Sequence, residues 1–136
     1  MNQSPSPIEV VLSPVLTDLM QTYGLSQDEL LQPATPGSAA IDLRICITDL
    51  GQVDPGEVLF VDSGLRMHIK APNLAGLILP RSGLGSKKGL VLANTVGLID
   101  SDYQGPIKIP LFNRGTRPVR ITPLMRVAQL LSLIHI

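Results

Sequence analysis

The sequence predicts an all-β domain, a barrel or sandwich of short strands, with a small helical element near its N-terminus. Three observations carry this. Twelve glycines and twelve prolines are spread through 136 residues with no low-complexity run, which marks frequent turns. The apolar runs between those turns are mostly short. One of them alternates Leu65, Met67 and Ile69 with Arg66, His68 and Lys70, the period of a strand with one wet face.

The helical signals come first in the chain. Ser13 followed by Pro14 is an N-cap with proline at the first helical position. Val15, Leu16, Leu19, Met20 and Tyr23 then share one helical face, and Gly24 ends the helix. Ser26 and Glu29 form a capping box for a second short turn through Leu31. After Pro33 the signals become those of strands: 40–47, then Asp54-Pro55-Gly56-Glu57 in the order of a type II turn, then 58–61. Asp62-Ser63-Gly64 reads as a turn before the alternating strand 65–69. Strands at 75–79, 90–93, 107–112, 119–122 and 127–136 complete the set. With no repeat and no linker, 1–136 reads as a single domain. An N-terminal strand and helical segment occupies 1–32, and a β-barrel core fills 33–136.

Composition narrows the function classes. Eleven basic residues balance eleven acidic ones, so the chain as a whole attracts neither nucleic acid nor an acidic membrane, and any anion site must be local. No apolar stretch reaches the roughly 20 residues a bilayer requires. MNQSPSPIEV lacks the basic and apolar regions of a signal peptide, and the lone Cys46 fits a reducing compartment; together they imply a cytoplasmic protein. Four aromatics, Tyr23, Tyr103, Phe60 and Phe112, leave an aliphatic core, with room for stability gained by oligomerisation.

Four stretches could carry chemistry. PRSGLGSKKG (80–89) concentrates glycine N–H donors, hydroxyls and positive charge suited to phosphate oxygens, without being a Walker A loop or a dinucleotide fingerprint. Taken alone, it reads first as a solvated glycine-rich turn. GLIDSDYQGPI (97–107) sets Asp100, Asp102 and Tyr103 between apolar runs. A carboxylate there can orient and deprotonate a water, and the tyrosine can pack on a sugar; the same stretch also fits a hairpin turn. Asp42, between Ile41 and Leu43, costs free energy unless paired or serving a site. Gln129 in RVAQLL reads as an edge or solvent-facing residue. His68 and His135 read as strand-surface residues and Cys46 as a small core residue. No cluster has metal-ligand spacing.

In this order the segments resemble the trimeric deoxyuridine triphosphatase (dUTPase) family, from about Pro33 to Leu131. PGSAAIDLR is similar to its first motif, PRSGLGSK to its second, NTVGLIDSDYQGPI to its third and RVAQLL to the core of its fourth. The resemblance implies a distorted jelly-roll-like β-barrel that hydrolyses dUTP to dUMP and pyrophosphate, which keeps uracil out of DNA and supplies dUMP for thymidylate synthesis. Mg²⁺ would be held by substrate phosphates and water, with no direct protein ligand, and three subunits would build each site of a homotrimer. Asp100 would activate the attacking water and Tyr103 would pack on the deoxyribose. Asn94 and the backbone at Gly97–Leu98 would read uracil. Arg81, Ser82, Gly83 and Gln129 would bind phosphates, Asp42 would support the site, and Asp102 would be a turn residue.

Three departures accompany the resemblance. Ala40 replaces a usual glycine, and Pro123-Leu124-Met125-Arg126 replaces a Pro-Gly-acid-Arg approach to the fourth motif. The glycine-rich arm that closes over the nucleotide in family members has no counterpart before Ile136, an expectation of slower turnover. The rival readings are a dCTP deaminase, against which Gly83 and Asp100 speak, and a dUTPase-like module that binds nucleotide or protein with reduced catalysis.

Overall fold

The computed structural model describes residues 8–134; His135, the last two residues of the expected strand 127–136 and the first seven residues lie outside it. Two helices, α1 (Pro14–Tyr23) and α2 (Gln27–Leu31), follow the first strand, β1 (Ile8–Leu12). The remaining strands are β2 (Ile41–Arg44), β3 (Gly51–Val53), β4 (Val58–Ile69), β5 (Leu74–Pro80), β6 (Leu90–Leu92), β7 (Gly97–Ile99), β8 (Pro106–Asn113), β9 (Val119–Ile121) and β10 (Arg126–Ile134). They form two antiparallel four-stranded sheets, β1-β4-β8-β6 and β2-β10-β5-β7, and a two-stranded ribbon, β3-β9. The inner faces of both sheets share one aliphatic core, in which Leu43, Ile69, Leu90, Ile109, Leu111 and Val127 are almost wholly buried. This is the jelly-roll-like β architecture expected. No helix among the described residues is long and apolar enough to cross a membrane.

The local signals at the N-terminus act as written. The Ser13 hydroxyl accepts from the Leu16 N–H, Pro14 takes the first helical position, and Gly24 ends α1 at φ 68°. Ser26 and Glu29 close a reciprocal capping box, whose N–H and hydroxyl hold the Glu29 carboxyl below its ordinary range. Of the expected α1 face, Leu16, Leu19 and Met20 are buried, while Val15 and Tyr23 are exposed. The turn at Asp54-Pro55-Gly56-Glu57 also forms, with Gly56 at φ 79° and Glu57 N–H donating to the Asp54 carbonyl.

The expected turn at 62–64 is instead a bulge inside a continuous β4. Register against β8 slips between Asp62 and Arg66, with Gly64 at φ 73°. Side chains absorb the irregularity: Gly64 N–H donates to Asp62 Oδ1, and the Ser63 hydroxyl donates to the Ile107 carbonyl. The bulge is where α1 docks. A Cβ on Gly64 would lie 2.7 Å from Leu16 Cβ and 3.1 Å from Cys46 Sγ, so only glycine permits this approach. Burial here raises the Cys46 thiol pKa, as for a small packing residue.

Other boundaries moved for similar reasons. The strand expected over 40–47 leaves β10 after Arg44, and its next residues bridge the two sheets. Ile45 N–H donates to the Met125 carbonyl and Cys46 N–H to the Asp62 carbonyl. The segment 97–107 does not close a hairpin. It carries strand β7, bonded to β5, and then crosses to β8 in the opposite sheet. At the departure in 123–126, Leu124 takes φ 60° with its side chain buried, in the left-handed region where glycine is the usual residue.

Candidate functional site

The residues singled out in the sequence fall into two groups. The first is built on adjacent strands of one sheet. Gln129 on β10 stands opposite Asp42 on β2 and Leu79 on β5, so the three share one row. Gln129 is therefore neither at an edge nor turned to solvent; β10 is an inner strand, and the amide donates to the Pro80 carbonyl at 3.0 Å. Beyond Pro80 the chain does not remain a loop. It winds into a π-helical turn, Leu84–Lys88, that buries Leu84 and Gly85 and leaves Ser82 and Gly83 exposed.

The buried-acid problem at Asp42 is resolved by pairing. Its carboxylate receives Arg81 Nε at 3.1 Å and Arg126 Nη1 at 3.6 Å, while Arg81 Nη1 also donates to the Arg126 carbonyl. Arg44, two residues along β2 and therefore on the same face, adds a third guanidinium and donates to the Leu124 carbonyl. Burial, and then the neighbouring Arg126 cation, lower the Arg44 pKa, with Asp42 and Glu29 opposing. Asp42, Arg81, Ser82, Gly83 and Gln129 line one cavity of about 300 Å³. Arg44, which with Asp42 and Arg126 lines an adjoining cavity, is the neighbour that residue-by-residue reading passed over; its two-residue spacing from Asp42 was the available signal.

The second group surrounds a smaller cavity of about 200 Å³, lined among others by Asn94, Gly97, Leu98, Asp100 and Tyr103. A tight turn after β6 holds Thr95 at φ 65°, with its N–H bonded to the Leu92 carbonyl. It leaves the Asn94 amide exposed and unbonded among the described residues. Gly97 then packs flat on β5, where a Cβ would meet Ile78 Cβ at 3.1 Å. Since β7 is the last strand of its sheet, its outer N–H and C=O groups have no strand partner.

Asp100 follows at the end of β7, exposed and free of ion pairs among the described residues. Its carbonyl accepts the Tyr103 N–H at 3.1 Å, closing a turn whose exposed third residue is Asp102. The Tyr103 hydroxyl donates to the Pro106 carbonyl at 2.9 Å, laying the ring over the chain. This fold-back depends on Gly105, which the sequence reading did not single out: a Cβ there would lie 2.6 Å from the hydroxyl oxygen.

The two cavities share no lining residue. One chain thus assembles a cationic pocket with hydroxyl and amide groups, and separately a pocket with an open strand edge, an aromatic face and a free carboxylate. Among the described residues no three His, Cys, Asp or Glu side chains gather as a metal cage. Asp42, engaged by two guanidiniums, is poorly suited to binding a cation directly.

The chain is similar to known proteins in both sequence and fold. The model of the dUTPase family matches residues 27–135. A deoxyuridine 5′-triphosphate nucleotidohydrolase from Nitrosomonas eutropha is 54% identical over 97 residues, 71% of this chain and 65% of the relative. A protein of the same name from Methylibium petroleiphilum is 48% identical over 120 residues, 88% of this chain and 74% of the relative. The chain therefore spans about two thirds to three quarters of the length of these relatives. Among solved structures, a dUTPase from Streptococcus mutans superposes with a TM-score of 0.70 at 24% identity, covering 95% of both chains, which shows the shared fold. By its ordered motifs, its sheet topology and a family match across most of its length, the chain belongs to the dUTPase family.

Proposed function

We propose that the chain hydrolyses dUTP to dUMP and pyrophosphate, in a homotrimer whose active sites lie between subunits. The observation that carries this reading is the division of the motif residues into two cavities with complementary chemistry. A triphosphate fits the cationic pocket and a deoxynucleoside fits the other, yet no single chain joins them. A neighbouring copy that brings its nucleoside pocket against this chain's phosphate pocket completes the site.

Each residue then has a physical task. Arg81 supplies a guanidinium, Ser82 a hydroxyl, Gly83 an unshielded backbone N–H and Gln129 an amide, which together bind and align the phosphate chain. The open edge of β7 at Gly97–Leu98, with the Asn94 amide, offers the alternating donors and acceptors that pair with a uracil edge. Cytosine, with its donor pattern reversed, would leave those groups unpaired. Tyr103 covers the sugar and leaves no room for a ribose 2′-hydroxyl.

Asp100 orients a water and accepts its proton as the water oxygen bonds to the α-phosphorus. The α–β bridging bond breaks, and its electron pair leaves with pyrophosphate. Mg²⁺, held by phosphate oxygens and water, would supply charge neutralisation when bound. Asp42 supports the pocket by holding Arg81 and Arg126 in place. Clearing dUTP in this way keeps uracil out of DNA and supplies dUMP for thymidylate synthesis.

Comparing pyrophosphate release from dUTP, dCTP, dTTP and UTP tests the reading. Release confined to dUTP is expected. Binding of dUTP without release would identify a nucleotide-binding module, and ammonia release from dCTP would identify a deaminase.

A further inference from the structure

Away from both cavities, the π-helical turn and the loop between β8 and β9 enclose an open groove of about 810 Å³. Lys87, Lys88, Arg114, Arg117 and Arg120 line it, and all five are exposed. The groove thus holds five of the chain's eleven basic residues and none of its eleven acidic ones. None of the five forms an ion pair or side-chain hydrogen bond among the described residues. Overall neutrality conceals this local field, because the acidic excess lies elsewhere on the chain.

The groove is rigidly built. Asn113 is fully buried beneath it, and its amide donates to the carbonyls of Val53 and Arg117 while accepting the Gly115 N–H. The two walls meet through backbone groups. Arg114 N–H donates to the Gly89 carbonyl, and a Cβ on Gly115 would lie 2.7 Å from the Lys88 carbonyl oxygen. Five like charges are held together with no internal counter-charge, an arrangement that costs free energy unless an anion neutralises it.

We propose that this groove binds the phosphodiester backbone of a nucleic-acid duplex without reading its bases. Its chemistry selects that ligand class. Cations distributed along two walls match a line of phosphates better than a single phosphate group. The lining contains no aromatic residue, so unpaired bases of a single strand have nothing to stack on, and a free nucleotide finds no slot for its base. Arginine and lysine with the Ser86 and Thr116 hydroxyls are the groups that contact duplex backbone.

Fluorescence anisotropy with a labelled duplex of about 20 base pairs tests the proposal, and a plot of log affinity against log salt should fall with a slope of about −3 or steeper. Arg114→Gln/Arg117→Gln/Arg120→Gln should weaken binding at least about ten-fold and flatten that slope by about 2 to 3, since each lost phosphate contact removes about 0.9. The corresponding triple lysine variant should bind like the unaltered protein, and dUTP turnover should be unchanged in both. No binding at about 50 mM salt, or undiminished binding by the glutamine variant, overturns the proposal. Equal affinity for a single strand, or displacement of the duplex by tripolyphosphate at equal phosphate concentration, would also overturn it. The last result would reassign the groove to small oligophosphates.

Discussion

Tyr103 and Gly105 are bound together by what glycine lacks: the tyrosine hydroxyl oxygen sits 2.6 Å from the point where a Cβ on Gly105 would project. The ring is folded back over its own chain and held by the bond from its hydroxyl to the Pro106 carbonyl. A methyl group at 105 must displace the ring or break that bond.

Gly105→Ala should therefore impair the nucleoside pocket without touching the phosphate pocket. Losing one such hydrogen bond costs about 1 kcal/mol, so KM for dUTP should rise about five- to ten-fold. Discrimination against UTP should fall at the same time, because the displaced ring no longer fills the space beside the sugar. Steady-state kinetics with both nucleotides measures the pair of effects. An unchanged dUTP-to-UTP ratio would remove Tyr103 from sugar recognition.

The unshared cavities lead to a prediction about mixing. Asp100→Asn should lower turnover by about 10²–10⁴-fold while leaving nucleotide binding intact, since Asp100 is exposed and supplies only the base. Arg81→Gln should be inactive through the phosphate pocket. Co-refolded at equal amounts, the two variants should recover about a quarter of normal activity, because a head-to-tail interface pairs an intact half from each in one site of four. Failure of any recovery would place both halves of each site in a single chain.

Gly64→Ala addresses the fold. The added methyl meets Leu16 Cβ at 2.7 Å on a left-handed backbone, and neither atom can rotate away. Overpacking and strain of this kind cost about 2–4 kcal/mol. Urea denaturation should show that loss. Leu16→Ala should not rescue it, because the clashing Cβ remains.

Leu124 allows an unusual ordering of variants. Its φ of 60° costs a non-glycine residue about 1–2 kcal/mol, while its buried side chain contributes about 1.5–3 kcal/mol. Leu124→Gly should lose the burial but recover the strain, for a net loss of about 1 kcal/mol. Leu124→Ala should lose burial and keep the strain, so it should be the less stable of the two. Thermal unfolding of both variants decides the order.

Much of this was legible in the sequence wherever short-range chemistry decides the outcome. Ser13-Pro14, Gly24 and the Ser26–Glu29 pair capped the helices as written, because each signal acts within one helical turn. The four ordered motifs named the family through residue types that backbone geometry and phosphate chemistry demand together. What escaped depended on distant partners. Asp62-Ser63-Gly64 has the composition of a turn, and only the docking of Leu16 makes it a bulge. Gln129 looked peripheral because its strand neighbours, Asp42 and Leu79, lie far away in the chain. Gly105 looked like an ordinary turn glycine, because its role appears only once the Tyr103 ring is placed.

Asp42 is a stationary anion in the wall of the larger cavity, bridging the guanidiniums of Arg81 and Arg126. One carboxylate offsets only one of the two positive charges it bridges, so it lets Arg81 and Arg126 converge while leaving a residual positive potential. Asp42 thus acts as an internal counter-ion: it lowers the cost of gathering the cations without using up their attraction for a more highly charged guest. Removing it would scatter the cluster, and an empty pocket with more net charge would bind anions less well.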